Sequence, residues 1–384
     1  MISFVYYLVS FLRRFKKKEN DKRFKERFGQ PSVKRPKGSL FWFHAASVGE
    51  TLSIVSFLKE LKKIDHNIHI LLTTTTWSSE KIFDMYLSDI ALHQYAPYDA
   101  PKFVKKFLNY WKPSQCFLIE SELWPFTLHE TQKCCPITLI NGRISNKSYK
   151  RWTVFSVFAK KIFSSIDLVW TLSQKTQKRF LELGAKNVKI MPPLKLFAKP
   201  NPLSQQSIHI FQNDHPKWLA ISTHESEEII CGQIHKSAGI ANLQTWIAPR
   251  HIERIPSIIH QMKTLNLSTC LASHYVKDSD IVLIDSIGQL NIYFALCPIV
   301  LVGGSFCKKG GHNPVEPLLY GCKTFWGPDM SNFTDILPYL PYDGACQKKE
   351  DFIKILNNES FSHQEPFVYR DSLESLVREV CLPQ

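Results

Sequence analysis

Between Val302 and Pro317 the chain reads Val-Gly-Gly-Ser-Phe-Cys-Lys-Lys-Gly-Gly-His-Asn-Pro-Val-Glu-Pro. An apolar run, Ile299 to Val302, stops at one glycine pair, and a basic loop stops at a second, Gly310-Gly311. Asn313 then stands as a helix N-cap, with Pro314 at the first helical position and Glu316 in the first turn. A strand, a glycine-rich loop and a helix start point free N–H groups and a positive helix end at one spot, where an anion can bind. Glu316 is placed to accept hydrogen bonds from a ribose diol. A tight turn before a capped helix uses the same residues, so the stretch alone leaves both readings open.

Other apolar runs also end in residues that can do chemistry. Ser47, Gly49 and Glu50 follow Ser39–Phe43, and Thr73-Thr74-Thr75-Thr76 close 68–73, where hydroxyls can hold sugar or phosphate oxygens. Glu120 and Glu122, at i and i+2 after 116–119, are either a functional pair or one cap and one solvated side chain. Asn141 to Ser145, Thr223 to Glu228, Arg250-His251 and Asp285 to Gly288 end further runs. Lys195 stands between Leu194 and Leu196 in a stretch holding Pro192, Pro193, Pro200 and Pro202.

These groups need a frame that gathers strand ends. Strands at 39–43, 68–73, 92–95, 116–119, 137–140 and 167–171 alternate with helical patterns, as do 218–222, 243–247, 281–284, 299–302 and 322–326. That alternation predicts two doubly wound α/β halves, whose ligands sit beyond the C-terminal strand ends. We expect an acceptor-binding half over 19–192, a proline-rich linker over 193–206 and a donor-binding half over 207–384, with residues 19–38 a loose connector. At 384 residues, two domains are the prior.

A net charge of +14 points to an anionic partner: nucleic acid, acidic membrane or phosphorylated substrate. Ten cysteines without a CxxC pair fit reduced thiols better than a disulfide framework or zinc site. Met1 to Leu12 is apolar and Arg13, Arg14, Lys16, Lys17 and Lys18 follow. The run is shorter than the ~20 residues a span needs. Segment 1–18 therefore reads as a membrane-associating helix with a basic collar, or else as a core helix.

Taken together, His44–Glu50, Pro97–Asp99, Glu120–Pro125, Asn141–Ser145, Ser222–Glu228, Pro249–Arg254, Asp285–Leu290, Gly303–Pro317 and Gly327–Phe333 resemble the bacterial Kdo (3-deoxy-D-manno-octulosonic acid) transferases, over nearly the whole chain and in the family's order. The resemblance implies a GT-B fold, two Rossmann-like domains facing across a cleft, and transfer of Kdo from CMP-Kdo to the lipid A precursor. It places the protein on the cytoplasmic side of the inner membrane, against an anionic surface. It implies Glu50 as general base, Glu120 and Lys195 as transition-state support, and Pro249, Arg250, Ile287, Gly288, Gln289, Asn313, Pro314, Val315 and Glu316 as the CMP site. No metal and no cofactor is expected. Pro192-Pro193 replace the family's usual glycine and small polar residue, and Gln289 replaces a frequent glutamate.

Asp278-Ser279-Asp280 resembles a metal-binding DxD but precedes its strand, so it reads as a surface turn. Lys and Arg are spread along the chain with no nucleic-acid module, which argues against a nucleic-acid partner. Two further alternatives are another GT-B transferase acting on a membrane lipid and a catalytically inactive nucleotide-binding membrane protein.

Overall fold

The structure, a computed structural model, describes residues 23–121, 123–200, 209–211, 213–286 and 288–382. The expected helix over 1–18, Glu122, Ile287 and the later part of the expected linker lie outside these residues. Among the described residues no helix is long and apolar enough to cross a membrane. The chain forms two units, one ending at Ala198 and resumed from Arg370, the other spanning Lys199–Tyr369.

In the first unit, strands and helices alternate: β1 (Leu40–His44), α1 (Val48–Ile64), β2 (His69–Thr74), α2 (Trp77–Tyr86), β3 (Leu92–Tyr95), α3 (Pro101–Trp111), β4 (Gln115–Ile119) and α4 (Pro125–Thr131). They continue as β5 (Ile137–Gly142), α5 (Asn146–Val154), α6 (Ser156–Phe163), β6 (Leu168–Thr171), α7 (Gln174–Glu182) and β7 (Val188–Ile190). All strands pair in parallel in the order β3-β2-β1-β4-β5-β6-β7. Helices on both faces bury both sides of the sheet, which is why its strands read as unbroken apolar runs. Trp42 and Phe107 pack in one core, and Phe43 stacks on Phe117 at 4.5 Å.

The second unit holds β8 (Lys217–Thr223), α8 (Glu227–Ala238), β9 (Gln244–Pro249), α9 (Ile255–Thr264), β10 (Thr269–Leu271), β11 (Ile281–Leu283), α10 (Leu290–Leu296), β12 (Ile299–Val302), α11 (Val315–Leu319), β13 (Lys323–Trp326) and α12 (Lys349–Asn358). Its sheet is also parallel, in the order β10-β11-β9-β8-β12-β13.

Three segments differ from expectation. Residues from Arg23 on are tied down where charge suggested a loose connector. Phe24–Phe28 forms a 3-10 turn, and its charges are spent internally. Buried Glu26 accepts from Arg23 at 2.7 Å and from the Tyr95 N–H at 2.6 Å, while Arg27 donates to the carbonyls of Thr74, Thr75 and Ala96. The start of the expected linker belongs to the first unit, because Leu194, Leu196 and Phe197 are buried and pack against α1. The last helix, α13 (Leu373–Cys381), buries Leu376, Val377, Val380 and Cys381 and packs against α1 rather than joining the second half.

Candidate active site

A doubly wound sheet opens a crevice where neighbouring strands send their chains in opposite directions. In the first unit that point lies between β1 and β4, and the two carboxylates singled out by sequence stand beyond those strands. Glu50 sits in the first turn of α1, half-buried. Its Oε1 accepts from the Ser47 hydroxyl at 2.8 Å and its Oε2 from the Ala46 N–H at 2.8 Å, while the Glu50 N–H donates to Ser47 Oγ at 3.3 Å. This reciprocal capping fixes the carboxylate at the strand end.

Glu120 follows β4 with φ 62°, a left-handed conformation uncommon for a non-glycine residue. Asn141, the second-last residue of the neighbouring strand β5, has φ 60°. The Asn141 Nδ2 donates to Glu120 Oε1 at 3.2 Å, and the Arg143 N–H donates to the Glu120 carbonyl at 3.2 Å. Strain at two adjacent strand ends is a cost that functional sites commonly carry, ~1–3 kcal/mol each. Asn141 Oδ1 and Arg143 Nε are buried without a protein partner among the described residues, so a polar ligand here would satisfy them.

Lys195 completes the cluster despite the two prolines before it. Burial lowers its pKa most, while the carboxylates of Glu120 and Glu50 pull it up and Arg143 pushes it down. The fold thus brings both Glu50 and Glu120 within electrostatic range of Lys195. The net lowering means the folded chain holds this proton less tightly than the unfolded chain. Stability from this group is therefore gained as pH rises through the depressed folded pKa toward 10.5 and is absent below it. Lys195→Met is expected to raise Tm at pH 7, with the gain shrinking by pH 10, while activity falls. Melting curves at both pH values check this, and a lower Tm at pH 7 would count against it.

Several polar strand ends turn out to be internal fixtures. Thr73 Oγ1 accepts from Trp42 Nε1 and bonds His44 Nδ1, both at 2.9 Å, so buried His44 is a satisfied core residue. Thr74 Oγ1 bonds His93, and Thr76 caps α2. Asp99 accepts from Thr127 N–H at 2.7 Å and so caps α4. Asp280 accepts from Ser268 N–H and hydroxyl, which ties down the DxD-like turn.

In the second unit the switch point lies between β8 and β12, and there the expectation of free glycine-loop amides is not met. Glu227, 3% exposed, collects four of the local N–H groups. Its Oε2 accepts from His224 at 2.9 Å and Gly304 at 2.7 Å, and its Oε1 from Ser305 at 3.0 Å and Phe306 at 2.9 Å. Gly310 N–H donates to Asp329, and the Gly311 and His312 N–H groups donate to the carbonyls of Gly304 and Gly303. Seven of the loop's N–H groups, those of Gly304, Ser305, Phe306, Lys309, Gly310, Gly311 and His312, are thus spent on its own protein. α11 spans only Val315–Leu319, with Pro314 rather than Asn313 at the N-cap position; Asn313 Oδ1 still accepts from Val315 N–H at 3.2 Å.

The other described residues expected to hold CMP lie at the same C-terminal sheet edge. Pro249 ends β9, buried, and exposed Arg250 donates its N–H to the Thr223 carbonyl at 2.9 Å. Arg250 lies near enough to His312 to help lower that imidazole's pKa, after burial and His224. Gly288, with φ 85°, and Gln289 are exposed after β11, and Glu316 is exposed beside buried Pro314 and Val315. Sequence reasoning placed Glu227 and Arg143 in polar strand ends without assigning either a role, and missed the pairing of His224 with His312. The one available signal for Glu227 was an acid opening a helix directly after a strand.

The profile of the 3-deoxy-D-manno-octulosonic-acid transferase (kdotransferase) family matches residues 22–198. The 3-deoxy-D-manno-octulosonic acid transferase of Rickettsia bellii is 35% identical over 341 residues, covering 86% of this chain and 81% of that protein. The enzyme of the same name from Haemophilus influenzae is 29% identical, covering 82% and 76%. The solved UDP-GlcNAc 2-epimerase of Methanocaldococcus jannaschii superposes with a TM-score of 0.59 at 13% identity, over 89% of this chain and 99% of that one, a likeness of GT-B-type fold alone.

Proposed function

Because this chain belongs to the 3-deoxy-D-manno-octulosonic acid (Kdo) transferase family, we propose that it moves Kdo from CMP-Kdo to a hydroxyl of the lipid A precursor at the cytoplasmic face of an inner membrane. The observation that carries this reading is the cluster of Glu50, Glu120 and Lys195 at the switch point of the first sheet. Glu50 takes the proton of the acceptor hydroxyl, whose oxygen then bonds to the anomeric carbon of Kdo. The bond from that carbon to the CMP phosphate breaks, with inversion, and CMP departs with the electron pair. Negative charge growing on the phosphate is met by Arg250, and Lys195 with Glu120 supports the developing charge at the sugar. Glu316 binds the ribose.

A second feature favours a membrane-borne acceptor. Around the junction of α5 and α6, Val154, Phe155, Val157 and Phe158 are 76%, 65%, 84% and 49% exposed. Lys147, Lys150, Arg151, Lys160 and Lys161 surround them in sequence, and no Asp or Glu occurs between Glu130 and Asp167. Apolar side chains within a basic collar suit an anionic lipid surface. Phe155→Asp combined with Val157→Asp is expected to weaken binding to anionic phospholipid vesicles by about a hundredfold or more, read by co-sedimentation, since each side chain withheld from lipid forfeits ~1.5–3 kcal/mol and the two together ~3–6 kcal/mol. Undiminished sedimentation would assign attachment to another segment.

The decisive experiment is incubation with CMP-Kdo and lipid A precursor, with products counted by mass spectrometry. Kdo-bearing product, inhibited by CMP and not by UDP, is the expected result. Inhibition by UDP alone would favour a different nucleotide-sugar transferase, and absence of transfer with retained CMP affinity an inactive binder.

A further inference from the structure

The switch point of the second sheet also borders a cavity of about 640 Å³ that none of the CMP-site residues line. Its walls come from His224 after β8, His251 and Arg254 after β9, and Lys308 and Lys309 after β12. These groups differ in what charge they can offer a ligand. Arg254 is already held by buried Glu228, through contacts of 2.6 and 3.3 Å. Among the described residues neither Lys308 nor Lys309 makes an ion pair within 4.0 Å, although Lys308 lies within electrostatic range of the Asp329 carboxylate and, after the hydrogen bonds from Ser331 and Gly310, helps lower its pKa. Glu225 also reaches the wall, but it is exposed to solvent, and the Glu227 charge behind the loop is spent on four amides.

A histidine pair joins this cavity to the nucleotide side. His224 and His312 stack at 5.2 Å with their Nε2 atoms 2.9 Å apart, so one ring donates to the other. Double protonation would leave two donors facing each other, and burial lowers both pKa values. Gly304 makes the stack possible: its φ is 70°, and a Cβ there would lie 2.9 Å from the His312 ring. His312 immediately precedes Asn313, so the pair spans from the CMP-site segment to the cavity wall. Lys308 and Ser226, both lining the cavity, are held left-handed at φ 55° and 78°. The loop is thus anchored by Glu227 and Asp329 in a shape that costs free energy locally, and lysine side chains stand at its tip.

We propose that this cavity is an oxyanion subsite on the sugar side of the reaction, where Lys308 and Lys309, with the His224–His312 pair, hold a carboxylate or phosphate. The inference rests on the transferase reading above. An ulosonic acid carries its carboxylate on the anomeric carbon that is bonded to CMP, so the donor places a second negative charge beside the phosphate. A subsite one imidazole pair away from the CMP segment meets that charge and rejects neutral nucleotide sugars, which lack it. A phosphate on the lipid acceptor is the other source of the same chemistry.

Steady-state kinetics on the full chain distinguish them, with donor and acceptor varied separately and CMP affinity measured by calorimetry. Lys308→Ala with Lys309→Ala is expected to raise the KM for CMP-Kdo about tenfold or more, leave CMP affinity within about twofold, and be rescued by the double arginine variant. A rise confined to the acceptor KM would keep the subsite and assign it to an acceptor phosphate. Unchanged KM values for both substrates overturn the proposal, as does a parallel loss of CMP affinity, which would place the loop in the nucleotide site. Those outcomes presuppose a wild-type chain that transfers Kdo; failure of transfer by wild type defeats the functional reading, and this subsite with it.

Discussion

Glu50→Gln is expected to lower Kdo transfer by about 10²–10⁴-fold, the range a general base contributes, while the folded protein survives almost unchanged. The amide keeps an oxygen that can accept the Ala46 N–H bond now made at 2.8 Å, and Ser47 still caps Glu50 N–H at 3.3 Å. What the amide cannot do is take a proton from the acceptor. Glu50→Ala makes the contrast. It loses the same activity and in addition the side-chain acceptor at the helix start, a cost of about 1 kcal/mol. CMP affinity should be untouched in both, because the residues proposed to hold the nucleotide belong to the other unit. The measurement is a pair of rate constants with melting curves. If Glu50→Gln transfers Kdo at the wild-type rate, Glu50 is a capping residue and the base lies elsewhere.

The positions of such residues were legible in the sequence for a definite reason. Both sheets are buried on both faces, so strands such as Leu40–His44 and Ile299–Val302 stand out as apolar runs, and polar residues at their ends fall where ligands bind. What failed to show was whatever depends on distant partners or broken periodicity. α5 and α6 were not foreseen, since Val154, Phe155, Val157 and Phe158 face solvent and spoil the helical apolar stripe. β7 and β10 are three residues each, and neither is fully buried. The left-handed turn at Glu120 carries no sequence mark, because glutamate is not a residue that signals positive φ. At the glycine loop after β12, where the sequence leaves two readings open, the structure is instructive. Two glycine pairs beside a helix start do look like an anion cradle, but the anion that fills much of it is the protein's own carboxylate, 77 to 79 residues earlier in the chain.

That internal carboxylate gives the second large effect. Glu227→Gln is expected to destabilise the second unit by roughly 3–6 kcal/mol, since two of four charge-assisted bonds are lost at ~1.5–3 kcal/mol each. A glutamine oxygen can accept one pair of N–H groups, from His224 and Gly304 or from Ser305 and Phe306. The NH₂ group must then face the other pair, donor against donor, in a site where Glu227 is 3% exposed and water cannot easily help. For a unit of this size each kcal/mol is worth about 2–4 °C, so its melting transition should fall by about 6–24 °C. Exposed Glu225→Gln, two residues away, should melt like wild type. Below the transition, Glu227→Gln should also bind the donor more weakly, because the His224–His312 pair and the lysine loop are both hung from the amides that Glu227 holds. A Glu227→Gln protein that melts within 2 °C of wild type, on a scale of about 2–4 °C per kcal/mol, would show that the loop is held by Asp329 and the glycine backbone without it.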